Sequence, residues 1–124
     1  MCSYEHTIAI TNRTLVQGDF LEQMKKVIHL HPHAVILREK DLPDDAYKAL
    51  AEKILSLCER EGVRCFLHSR VSIARNLGCG RIHLSIPALE TMSETERFEL
   101  QRNFEEISVS CHSLEDVNIA VKNG

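Results

Sequence analysis

Two adjacent residues in "ISVSCHSLEDV", Cys111 and His112, are the types that could form a nucleophile with its base or half of a metal site. The segment reads as a strand, and side chains of a strand alternate between faces. Ser108, Ser110 and His112 then share one face, while Ile107, Val109 and Cys111 share the other. A nucleophile and base cannot meet across that divide, so Cys111 is assigned to packing and His112 to a strand-end site. Ser113 followed by Leu114, Glu115 and Asp116 reads as an N-cap with an acidic N3 residue. The partial positive charge of a helix start disfavours imidazolium, which predicts a neutral His112 suited to acid/base work. The bland alternative is a hydrogen-bonded structural histidine.

Other candidates stand at comparable strand ends. His68 and His83 with His112 could in principle hold a metal, but no carboxylate accompanies them and strand one has no H-x-H. The conspicuous "HLHPH" at 29–33 precedes strand two and belongs to the opposite end, as a polar loop around Pro32 able to capture adventitious metal. Arg38 and Lys40 put one guanidinium fork and one point charge on a single face. They are either a solvated strand end or a phosphate- or carboxylate-binding pair. Cations directed into a strand-end mouth are costly without an anion, which favours the second. "GCG" at 78–80 is a turn, and neither G-x-G-x-x-G nor a P-loop occurs.

The elements that must position these residues alternate regularly. Strand-like runs are "HTIAIT" near residue 8, "AVILREK" at 34–40, "RCFLHSR" at 64–70, "RIHLS" at 81–85 and "ISVSCH" at 107–112. Between them, Phe20, Leu21, Met24, Val27 and Ile28 form one helical stripe; Tyr47, Leu50, Ala51, Ile54, Leu57 and Cys58 form another. Pro43 and Gly62 bracket the second helix, Gly78 closes a shorter third, and "SETE" at 93–96 is a capping box on a sparsely apolar fourth. Strict alternation predicts an α/β fold with a parallel sheet, either doubly wound or part of a TIM-type barrel. A complete (β/α) barrel takes about 250 residues. About five βα units fit residues 1–124, giving a single partial-barrel domain.

The totals exclude several classes. With 124 residues, 44% apolar and 27% charged, the chain is an ordinary globular domain. A net charge of -3 gives no basic field for nucleic acid, and no apolar run reaches the roughly 20 residues that span a bilayer. The start "MCSYEHTIAI" has no signal-peptide pattern, and five cysteines without C-x-x-C spacing predict reduced thiols in a cytoplasmic protein.

Taken in order, "ILREKDLPDDAYKALAEKILSLCEREGV", "FLHSRVSIARNLGCGRIHLS" and "ISVSCHSLEDV" resemble the thiamin-phosphate synthase / TenI family across nearly all of residues 7–124. The resemblance implies a β/α barrel acting in thiamin synthesis on thiazole or pyrimidine phosphates. The synthases join a pyrimidine pyrophosphate to a thiazole phosphate with magnesium, whereas the TenI branch includes a metal-independent thiazole tautomerase. Arg38 and Lys40 match the synthase motif Gln-Leu-Arg-x-Lys, with Ile36 in place of the glutamine. At strand three the family's Asn-Asp is replaced by His68-Ser69-Arg70. At strand four His-Leu-Gly-Gln-x-Asp becomes His83-Leu84-Ser85-Ile86-Pro87-Ala88. Both magnesium carboxylates are thus missing, which favours the TenI branch. His112 in "SCHS" matches the tautomerase histidine, a residue that synthases also commonly carry.

The resemblance therefore implies tautomerisation of a thiazole phosphate, with His112 moving the proton and Arg38, Lys40, His68, His83 and Ser110 forming the substrate and phosphate site. No cofactor is implied, except magnesium if the chain is a synthase. The alternatives are a thiamin-phosphate synthase fragment and a non-catalytic ligand-binding or regulatory remnant. The family's later strands, with their Gly-rich phosphate loops, fall beyond this sequence. A truncated product, a proteolysed fragment or a half-barrel completed by dimerisation would account for that. Unpaired strand edges predict a homo-oligomer.

Overall fold

A computed structural model of the protein describes residues 6–15 and 18–110. Its elements are β1 (Ile8–Ile10), a 3-10 turn (Arg13–Leu15), α1 (Phe20–His29), β2 (Ala34–Leu37), α2 (Asp44–Glu61), β3 (Arg64–His68), α3 (Val71–Asn76), β4 (Arg81–Ser85), α4 (Ile86–Thr91), α5 (Glu94–Asn103) and β5 (Glu106–Ser110). The strands form one sheet in the order β1-β2-β3-β4-β5, and the β1/β2, β2/β3 and β4/β5 pairs are parallel. This is the α/β arrangement predicted from the alternation. The residues divide into two compact units, Met1–Leu67 and His68–Gly124.

In the first unit, α1 starts where the Asp19 carboxylate accepts the Leu21 and Glu22 amides at 2.9 and 3.3 Å. Its stripe buries Met24 and Ile28, and α1 packs on α2. Tyr47, Ala51, Ile54 and Cys58 are the buried face of α2, with Leu50 and Leu57 half-buried beside them. Pro43 occupies the N-cap and Gly62 ends the helix at φ 69°, where a side chain would strain the backbone. All four residues of β2 are buried, as in a strand covered on both faces. Cys65 on β3 is hydrogen-bonded to Cys58 of α2, so the Val35, Leu37, Cys65 and Leu67 face lies toward that helix. The bond to Cys65 holds the Cys58 thiol below its usual range, outweighing the upward push of burial. Ala34, Ile36 and Phe66 cluster on the opposite face. Ile8 and Ile10 pair in register with Ala34 and Ile36 yet are 51% and 61% exposed.

In the second unit, β4 and β5 are in register from Arg81↔Glu106 to Ser85↔Ser110. α3 closes through Gly78 at φ 71°. The sequence reading did not find α4, whose six residues hold too few turns for a periodicity. Ser85 caps it, accepting the Ala88 amide at 3.3 Å, and Ile86 and Leu89 are buried. The capping box of α5 is present, with Ser93 and Glu96 bonded reciprocally at 3.1 and 3.4 Å. α5 buries Leu100 and leaves Phe98 62% exposed, in line with its weak apolar pattern.

β2 and β3 are shorter than the strand-like runs that predicted them. β2 stops at Leu37 because Arg38 donates its amide to the Thr11 hydroxyl at 2.9 Å, a side chain replacing the next backbone partner. β3 stops at His68 because Ser69 adopts φ 64°. Cys58 and Cys65 are buried and Cys79 is half-buried, whereas Cys2 and Cys111 lie outside the described residues. Among the described residues no helix is long and apolar enough to cross a membrane.

Candidate functional site

At the carboxyl end of β2, alternation continues past the ladder. Arg38 and Lys40 are exposed, while Glu39 between them is only 4% exposed. The Glu39 carboxylate accepts the Arg13 amide through both oxygens, at 2.9 and 3.2 Å, and stands 3.7 Å from that residue's Nε. The Arg13 guanidinium also donates to Asp41 at 2.6 Å. A buried carboxylate requires such compensation. On the α2 side, the Tyr47 hydroxyl donates to the Leu37 carbonyl at 2.7 Å. Thr11, Arg13 and Tyr47 together fix the backbone from which Arg38 and Lys40 project. No ion pair engages either cation among the described residues. The pair predicted from sequence can therefore receive an anion.

In the second unit, His83 of β4 is 7% exposed and lies between two serines of β5. Its Nδ1 is 2.9 Å from the Ser108 hydroxyl and its Nε2 is 2.6 Å from that of Ser110. A hydroxyl can donate or accept, so either neutral tautomer satisfies both ring nitrogens. Such a chain can pass a proton across the ring without moving heavy atoms. His68, 9% exposed, lies with its ring centroid 5.5 Å from that of His83. Sequence reasoning placed these histidines at one height, and the structure brings them together. Ser110 joins them, and Ser108, noted only as its face-mate, is a site residue that the sequence reading did not single out. His112 and its cap Ser113 lie outside the described residues.

Immediately after His68 the backbone makes a tight turn, with the Arg70 amide bonded to the His68 carbonyl at 2.8 Å and Ser69 at φ 64°. This is the rare positive-φ γ-turn, a strained form that needs support. The Ser69 amide supplies it, donating to the His83 carbonyl at 2.9 Å.

The magnesium that the synthase reading would require does not fit the ends of β3 and β4. A hard cation needs oxygen anions, and these ends offer Ser69 and Arg70 after β3 and Ser85 through Ala88 after β4. Among the described residues no group of three His, Cys, Asp or Glu could hold a metal ion. The "HLHPH" stretch lies at the amino end of β2, where His29 and His31 stand 3.8 and 3.4 Å from Glu61.

Glu39, Arg13 and Thr11 were also missed by sequence reasoning. The one local signal was an acid on the Val35 and Leu37 face of the alternation; its partner Arg13 is 26 residues away, and Thr11 is 27 residues from Arg38.

A family model described as "Thiamine monophosphate synthase" matches residues 7–124. The chain is 31% identical over 116 residues to "Putative thiamine-phosphate synthase 2" of Aquifex aeolicus, covering 94% of this chain and 60% of that protein. It is 34% identical over 116 residues to "Putative thiamine-phosphate synthase" of Geobacter sulfurreducens, covering 93% and 53%. The solved thiamine phosphate pyrophosphorylase from Pyrococcus furiosus shares the fold, with a TM-score of 0.80 at 24% identity over 98% of this chain and 57% of that one. The chain thus spans somewhat over half the length of these relatives. By the family match and the curated identities, the chain belongs to the thiamin-phosphate synthase / TenI family.

Proposed function

We propose that the chain carries the amino-terminal part of a TenI-like site, which tautomerises a thiazole phosphate by acid/base proton transfer. The observation that carries this reading is the makeup of the β3 and β4 ends. Where synthases place magnesium carboxylates, this chain has a serine γ-turn and a serine-capped helix, beside a Ser–His–Ser hydrogen-bond chain. Proton transfer needs polar hydrogen-bonding groups at the strand ends and no metal clamp. In this reading His112 moves the proton, Arg38 and Lys40 attract the phosphate, and His68, His83 and Ser110 orient the ring. Solvent-deuterium exchange into a thiazole phosphate, followed by NMR in the presence of a chelator, tests it. Turnover that persists in chelator and disappears in His112→Ala supports the assignment; turnover retained in His112→Ala ends it.

The synthase reading draws on the two curated relatives, each named "Putative thiamine-phosphate synthase". It requires magnesium-dependent release of pyrophosphate when pyrimidine pyrophosphate and thiazole phosphate are supplied together. Saturable thiazole phosphate binding without either reaction, unchanged in His112→Ala, would instead identify a ligand-binding or regulatory remnant.

Self-association belongs to the same proposal. Ile8 and Ile10 leave apolar surface open on one face of an edge strand. Light scattering at micromolar concentration should give a mass above one chain, and a monodisperse monomer would exclude it. The buried Cys58–Cys65 thiol contact fits a reducing, cytoplasmic setting.

A further inference from the structure

The run Arg38-Glu39-Lys40-Asp41 alternates in sign and sums to zero, so by itself it would neutralise its own anion site. The structure separates the charges. Glu39 is 4% exposed and bonded to the Arg13 amide, with Arg13 Nε 3.7 Å away, and Asp41 takes the Arg13 guanidinium at 2.6 Å. Arg38 and Lys40 remain exposed, with no ion pair to either among the described residues. Counting Arg13, the local charge becomes one positive unit.

We propose that Arg13 is a positioning residue for the anion site: it sequesters Glu39 and Asp41 so that Arg38 and Lys40 stay available to a phosphate or pyrophosphate. The inference rests on the reading that these two cations bind an anion. It assigns a task to the segment after β1, whose side chains need never touch the ligand. Removal of the Arg13 charge releases the exposed Asp41 to turn toward Arg38 and Lys40, while Glu39 stays on the backbone amide of residue 13 with its negative charge less offset, and both changes weaken ligand binding. Exposed pairs of this kind shift affinity by about fivefold.

Titration calorimetry of the whole chain with inorganic pyrophosphate tests this. Arg13→Gln should weaken binding about fivefold, and Arg13→Lys should hold it near wild type. Arg13→Gln combined with Glu39→Gln should recover most of the loss. A glutamine amide at position 39 still accepts the backbone amide of residue 13 but no longer competes for the cations. A loss that the double variant does not recover, or an equal loss in Arg13→Lys, makes Arg13 a mechanical brace and overturns the proposal. Unchanged binding in Arg13→Gln overturns it as well. Should Arg13→Gln not fold, Glu39→Gln alone decides: affinity at or above wild type supports charge partition, and a fall refutes it. Arg38→Gln with Lys40→Gln separates the two levels. If that pair abolishes binding while Arg13→Gln does not weaken it, the anion site stands and the role of Arg13 falls. If that pair leaves binding intact, or wild type binds no pyrophosphate, the anion-site reading fails and this inference fails with it.

Discussion

Replacing Tyr47 with phenylalanine removes one oxygen from the first unit and little else. Tyr47 and Leu37 are both 0% exposed, and the hydroxyl donates to the Leu37 carbonyl at 2.7 Å. No water can reach that carbonyl once the hydroxyl is gone, so the cost is that of a buried acceptor losing a partner, about 2 kcal/mol. With an unfolding entropy of about 2.1 cal/mol/K per residue, 124 residues give about 0.26 kcal/mol/K, and the midpoint should fall by about 8 °C. Thr91→Val is the matched control, since its hydroxyl donates to the Ala88 carbonyl at 2.9 Å in an exposed position where water substitutes. It should move the midpoint by no more than about 2 °C. Calorimetric melts of wild type and both variants at one concentration make the comparison, because association would otherwise shift the midpoint. If Tyr47→Phe melts within about 2 °C of its control, the hydroxyl is not tying α2 to the end of β2. The claim that this bond helps aim Arg38 and Lys40 then loses its basis.

Other substitutions probe single features. Gly62→Ala meets no atom within 4 Å, so its whole cost is the backbone at φ 69°, about 1–2 kcal/mol in urea denaturation. Ser93→Ala removes the hydroxyl that accepts the Glu96 amide at 3.1 Å and should cost about 1 kcal/mol, with Ser93→Asp restoring it. Ser110→Ala strips His83 of its 2.6 Å partner, for a loss of about 1–2 kcal/mol and a changed Nε2 signal in nitrogen NMR that Ser110→Thr should preserve.

Legibility followed the range of the interactions. Caps are written within four residues, so Gly62, Gly78 and Ser93 could be placed directly. Strand alternation is also local, and it put Ser108 with Ser110 and Arg38 with Lys40 on shared faces from the residue order alone. Pairing register is not local. That His83 meets Ser108 and Ser110 follows from β4 lying beside β5 with Ser85 opposite Ser110, which the sequence of neither strand states. The Arg13–Glu39 contact joins residues 26 apart for the same reason. Strand ends were overread because β-branched runs report propensity, whereas termination at Leu37 came from a threonine hydroxyl beyond another strand. α4 was missed because its six residues are too few to show a period, although Pro87 in its first turn stands where proline suits a helix start.

The serines bracketing His83 sit two residues apart on one strand, a spacing of about 6.6–6.8 Å. The imidazole and its two hydrogen bonds fill that gap as a bar of matched length. A half-turn of the ring would carry both nitrogens away from both hydroxyls at once, so intermediate orientations keep neither bond. The ring therefore has two stable settings, its two neutral tautomers, and switching between them moves the proton from one ring nitrogen to the other, turns both hydroxyls and inverts the direction of the whole hydrogen-bond chain. A ligand that fixes one serine hydroxyl thereby sets the other, passing information across the strand pair while every carbon atom stays in place.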